Sequence, residues 1–98
     1  MSSAISTQSL SAVGQTVGIE LVGGFNITLS GVFVATIQLE RSFDKGATWV
    51  PVSKDATGAV MAFTTPASLS GFEYESGVQY RFNCTAFTSG TAACRLSR

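Results

Sequence analysis

From Thr16 to the end of the chain, apolar and polar positions alternate with a period of two. That spacing sends successive side chains to opposite sides of an extended strand. Val17, Ile19 and Leu21 share one side, with Thr16, Gly18 and Glu20 on the other, until Gly23-Gly24 interrupts the run. Phe25, Ile27 and Leu29 then alternate with Asn26, Thr28 and Ser30 up to Gly31. The longest segment follows, with Phe33, Ala35, Ile37 and Leu39 on one face and Thr36, Gln38 and Glu40 on the other. Short strands are expected over 49–53, where Pro51 belongs on an edge or at a bulge, and over 59–65. In 69–75 the pattern puts Phe72 and Tyr74 inward and Glu73 and Glu75 outward. Val78, Tyr80, Phe82, Cys84 and Ala86 alternate with Gln79, Arg81, Asn83, Thr85 and Phe87. No window carries a helical stripe.

Turn chemistry joins the last two segments. A three-residue loop at Thr88-Ser89-Gly90, with Gly90 left-handed, is a common hairpin connection. It predicts Phe82 opposite Leu96, Cys84 opposite Cys94 and Ala86 opposite Ala92, apolar against apolar at each step. Residues 1–15 are Ser-, Ala- and Gly-rich and are expected to form a flexible N-terminal arm, either frayed or ordered on a neighbour. Ile5, Leu10 and Val13 are its candidate partner-binding residues. Residues 16–98 are then one all-β domain, a small antiparallel β-sandwich (Ig-like or jelly-roll-like) of seven or eight strands, with a small barrel as the other closure.

Composition narrows the function classes. Of the 98 residues, 45% are hydrophobic and only 12% charged, about half the charge of an ordinary soluble domain. A sparsely charged surface rich in Ser, Thr, Gly and Ala suits contact with another protein. So small a domain has a modest core, and self-association with cyclic symmetry is expected to supplement it. Six basic and six acidic residues cancel, so no basic patch points to nucleic acid. No apolar run approaches the roughly 18–20 residues that span a bilayer, and the N-terminus lacks a signal-peptide pattern. Synthesis in a cytoplasm is expected, which makes the sequons at Asn26 and Asn83 chance matches.

Little in the chain could perform chemistry. It has no histidine, the commonest general base and metal ligand, and two cysteines alone do not build a zinc site. No phosphate-binding loop or nucleophile elbow is present. Glu73 and Glu75, two apart, would project from one strand face, where a solvated surface is the expected role. No catalytic residue, cofactor or metal is expected. Cys84 and Cys94 are read as buried and reduced, with a cross-strand disulfide after release from the cell as the alternative.

The sharpest motif is Ser42-Phe43-Asp44-Lys45-Gly46-Ala47-Thr48-Trp49, which fits the S-x-D-x-G-x-T-W pattern of the Asp box. Asp44 can accept backbone amides across the turn, and Gly46 can supply positive φ. The Ser42 and Thr48 hydroxyls can tie the strands, and Trp49 can fold onto the hairpin base with Arg41 stacked on it. In the sialidase-like propellers that carry Asp boxes, the motif recurs blade by blade. A single copy reads as a hairpin staple.

The stretch Gly24-Phe25-Asn26-Ile27-Thr28-Leu29-Ser30-Gly31, the run 35–44, Gly46-Ala47-Thr48-Trp49-Val50-Pro51-Val52, Tyr80-Arg81-Phe82 and Thr88-Ser89-Gly90-Thr91 together resemble a class of short phage virion proteins. The resemblance covers most of 16–98 and implies a small β-sandwich attached to a phage head or tail. Within that class the expected role is a capsid decoration (cement) protein. It would be made in the host bacterial cytoplasm, reside in the virion and bind the major capsid protein or another virion protein. A neck, tail or baseplate component is the nearest alternative. A carbohydrate-binding module using Trp49, Tyr74 or Tyr80 is the alternative from another class.

Overall fold

The computed structural model describes residues 5–98. Ten strands are present among them: β1 (Ile5–Leu10), β2 (Gly14–Gln15), β3 (Ile19–Glu20), β4 (Gly23–Ser30), β5 (Phe33–Ser42), β6 (Val50–Pro51), β7 (Ala62–Phe63), β8 (Ala67–Glu73), β9 (Gln79–Gly90) and β10 (Ala92–Ser97). They form two antiparallel sheets. Sheet A has the order β1-β10-β4-β8, and sheet B the order β2-β9-β5-β6, with β3 also on β9 and β7 also on β5. The fold is the small antiparallel β-sandwich that the alternation predicts. The strand count exceeds seven or eight because the borders of sheet B are built from two-residue pieces.

Phe25, Ile27, Leu29, Cys94 and Leu96 of sheet A pack against Ile37, Leu39, Tyr80, Phe82 and Cys84 of sheet B, and all ten are buried. Each large apolar side chain so placed contributes roughly 1.5–3 kcal/mol. The Phe25 and Tyr80 rings meet across the sandwich with centroids 4.8 Å apart.

The chain leaves or enters sheet A at six of the nine links between strands, so neighbours within sheet A are never consecutive in sequence. The predicted hairpin is corrected by this topology. β9 lies in sheet B against β5, while β10 lies in sheet A between β1 and β4. Cys84 therefore pairs with Ile37 and Gly14, and Cys94 with Leu29 and Gln8. Phe82, Cys84, Cys94 and Leu96 are all inward as expected. They face the core from opposite sheets, an arrangement with the same alternation as a hairpin.

Gly90 does take positive φ, 89°, but it serves a crossing between sheets. A Cβ there would lie 2.1 Å from the Val32 carbonyl oxygen, and one on Gly31 would lie 2.6 Å from the Thr91 oxygen. The β4–β5 and β9–β10 crossings thus press backbone on backbone, joined by the Thr91 amide donating to the Val32 oxygen at 2.9 Å.

Four further expectations change. The segment 5–15 is not a separate arm. All six residues of β1 pair with β10, Leu10 enters the core, and Gly14–Gln15 pairs with β9. Residues 1–4 of that arm lie outside the described residues. Thr16 is buried and Val17 exposed, because the Thr16 hydroxyl accepts the Phe82 amide at 2.9 Å between β2 and β3. In β9 the alternation flips past Cys84, where a register irregularity leaves Ala86 exposed and turns Phe87 toward the core. In β8 the parity is reversed. Gly71 faces inward beneath the Phe25 ring, 3.0 Å from where its Cβ would be, and Glu73 is buried while Phe72 and Tyr74 are exposed. The Phe25 ring fills the space a β8 side chain would otherwise take.

Candidate functional site

The Asp-box-like turn follows β5 and is tied by its own side chains. The Ser42 hydroxyl donates to Asp44 Oδ1 at 2.7 Å and accepts the amides of Gly46 at 2.8 Å and Asp44 at 3.3 Å. Asp44 Oδ1 also accepts the Thr48 amide at 2.8 Å. The Ser42 hydroxyl, followed by the Thr48 amide, holds the Asp44 carboxyl below the usual carboxylate range. Lys45 and Gly46 both have positive φ, 59° and 90°. Ser42 has the outward parity of sheet B yet is fully buried beneath this turn. Trp49 folds back against Gly18 and Gly46. Its cation partner is Arg81, 4.3 Å from the ring centroid, rather than Arg41, which lies over Phe43 at 4.9 Å. The staple thereby reaches across sheet B and closes on the gap between β2 and β3.

Beside it, a polar network covers the outer face of sheet B. Glu40 accepts Arg81 Nε at 2.9 Å on one carboxylate oxygen, and Gln38 at 2.6 Å and Asn83 at 3.0 Å on the other. Gln15 donates to Asn83 at 3.1 Å. Burial acts to raise the Glu40 pKa, but the hydrogen bonds from Asn83, Gln38 and Arg81 outweigh it and leave the carboxyl below its usual range. At the edge of the sandwich a second cluster joins the sheets. Tyr80 donates to Glu73 at 2.6 Å, Arg41 Nη1 donates to the same oxygen at 3.0 Å, and the Glu75 amide reaches the other oxygen at 3.1 Å. Burial, then the bond to Glu73, pushes the Tyr80 hydroxyl up to about 12. Burial opposes ionisation of Glu73, and its donors, Tyr80 first, bring it below the ordinary value.

Both carboxylates are thus saturated by fixed donors, which suits a rigid support more than proton transfer. Glu73 and Glu75 do not share a face, since β8 ends at Glu73 and Glu75 is exposed beyond it. The sequence contained a signal for these clusters that pattern reading passed over. In so charge-poor a chain, Glu40, Arg41 and Arg81 stand inside strands, where an ion needs a partner. Cys84 and Cys94 are both free and buried. Burial, and then the nearby Cys84, pushes the Cys94 thiol up to about 11, and burial raises Cys84 as well, which makes both poor nucleophiles.

The outer face of sheet A carries little charge. Register places Thr7, Arg95, Thr28 and Ser68 in one row, Ile5, Ser97, Asn26 and Ser70 in the next, and Ser9, Ala93 and Ser30 in a third. Arg95 is the one charge in these rows. Thr28 and Ser68 hydroxyls meet at 3.0 Å. At the end of the face the exposed Phe72 and Tyr74 rings pack with centroids 4.6 Å apart. Of the three predicted arm residues, Ile5 lies on this face, Leu10 is buried in the core, and Val13 is exposed in the turn after β1. No group of three or more potential metal-ligating side chains occurs among the described residues. Comparison with protein-family models, curated proteins and solved structures finds no match to this chain.

Proposed function

We propose that this chain is a structural virion protein of a phage, a capsid decoration protein that binds the outside of the major capsid lattice and reinforces it. The phage assignment rests on the sequence resemblance over 16–98. The observation that carries the binding role is the outer face of sheet A, whose three rows are mostly Ser, Thr and other uncharged side chains, with Arg95 the one charge and Ser97 buried, and which ends in the exposed Phe72–Tyr74 pair. Hydroxyls and small side chains give up water at lower cost than ions. Exposed aromatic side chains, Tyr above all, are enriched among the residues that carry the binding energy of protein interfaces. The saturated Glu40 and Glu73 clusters support a non-catalytic role.

The test is the copy number of the chain in purified particles, relative to the major capsid protein. A ratio near one, or a simple fraction of it, supports decoration, whereas a few copies per particle assign the chain to the neck, tail or baseplate. Absence from particles overturns the virion reading. A carbohydrate-binding module is the second reading, and it now depends on Tyr74. The Tyr80 ring is buried and Trp49 has Arg81 on one face, but Tyr74 is open beside Phe72.

A further inference from the structure

The two sheets treat their borders differently. Sheet B ends in two-residue strands on both sides, β2 and β3 along β9, and β6 and β7 along β5, one of them containing Pro51. Short strands and proline are the usual means of stopping a sheet from recruiting another strand. Sheet A has no such protection among the described residues. Its borders are β1, six residues long, and β8, seven residues long. Neither contains proline, and the one ionisable side chain in them, Glu73, is turned inward to Arg41 and Tyr80. Both therefore present a continuous line of backbone groups with no charge to desolvate.

The two open borders fit each other. Every neighbour in sheet A is antiparallel, so β1 and β8 run in opposite directions. A second copy set beside the first would continue the sheet with the same alternation. Aligning Phe72 with Ile5 of that copy pairs all six residues of β1. On the outer face Phe72 meets Ile5, Ser70 meets Thr7 and Ser68 meets Ser9. On the inner face Gly71 meets Ser6, Leu69 meets Gln8 and Ala67 meets Leu10. The two exposed apolar side chains at one end come together, Phe72 and Ile5 being 56% exposed each, and hydroxyls lie opposite hydroxyls. We propose that copies of this chain associate head to tail, β8 of one copy adding to β1 of the next. The occupant is a second copy because the complementary strand is the opposite border of the same sheet. This association does not depend on the virion reading.

The test combines the solution mass of the full chain with disulfide trapping across the proposed register. Thr7 and Ser70 are both exposed. Within one copy they sit three strand spacings apart, roughly 14 Å, too far to bridge. Light scattering on wild type should return a multiple of the 10.2 kDa chain mass. Under mild oxidant, the doubly substituted Thr7→Cys, Ser70→Cys protein should give a covalent ladder of multimers that collapses on reduction. Each single variant should stay one chain long, and circular dichroism should show the fold retained in all three. A monomeric wild type overturns the proposal, as does a double variant that forms no ladder. A covalent dimer from Ser70→Cys alone, or from Thr7→Cys alone, would mean two-fold pairing of like edges and overturns it equally.

Discussion

At the scale of single residues, the hydroxyl of Ser42 organises the turn that follows β5. It is fully buried, accepts two amides and orients the Asp44 carboxylate. Ser42→Ala should therefore cost about 1–3 kcal/mol, the range for leaving buried polar groups without partners, read as a lower midpoint in urea denaturation. Asp44→Ala should lower stability in the same direction. The one tryptophan of the chain reports locally on both changes. Its emission should shift to longer wavelength as the staple loosens and Trp49 moves off Gly18. The Asp-box pattern made this cluster legible, because its acceptors and its glycine lie within eight consecutive residues. Of the Glu40 cluster only the ions inside strands were legible, and their pairing was not, since Gln15, Gln38, Glu40, Arg81 and Asn83 come from three strands that only the sheet register brings together.

At the scale of elements, the stacked crossings are the feature on which the topology depends. Gly90 and Gly77 share a left-handed conformation, with φ of 89° and 86°. Their surroundings differ, for a Cβ on Gly77 meets nothing within 4 Å, whereas one on Gly90 would overlap the Val32 carbonyl. Gly77→Ala should cost only the conformational penalty, roughly 1–2 kcal/mol. Gly90→Ala should cost clearly more, because the two crossings must also separate, and denaturant titration of the pair measures the difference. A Gly90→Ala protein as stable as Gly77→Ala would show that the contact between crossings contributes nothing. The strand segments themselves were legible from alternation wherever both faces are continuous, as in β4 and β5. Parity failed in β8, where a glycine under the Phe25 ring replaces the expected inward side chain, and after Cys84, where a register irregularity shifts the face.

At the scale of the whole molecule, the Glu73–Tyr80–Arg41 cluster couples the two sheets and gives their association a pH dependence. The Tyr80 pKa is raised in the folded state, to about 12 from about 10. Its contribution is complete below about pH 10 and is lost as pH rises through 12. Glu73 and Glu40 are lowered in the folded state. Their contribution is complete above the ordinary carboxylate value, near pH 4.5, and is lost as pH falls below it. Denaturation midpoints measured against pH should form a plateau between these limits. Tyr80→Phe should lower the plateau by about 1 kcal/mol through the lost hydrogen bond and flatten the alkaline limb. An alkaline limb unchanged in that variant would place the transition in some other group.

The sequence by itself determined the class of fold and most of the core. Alternation with period two is a property of each strand alone, and burying the apolar side of several such strands requires two layers. The staple was likewise local. Only the tertiary structure decided which strands are neighbours, because residues facing each other across a sandwich and residues facing each other along a hairpin share one hydrophobic pattern. That is why Cys84 and Cys94 moved from one ladder to opposite sheets, and why Leu10 moved from an arm into the core. It also decided which borders are blunt and which are open, since an edge exists only once strand order is set.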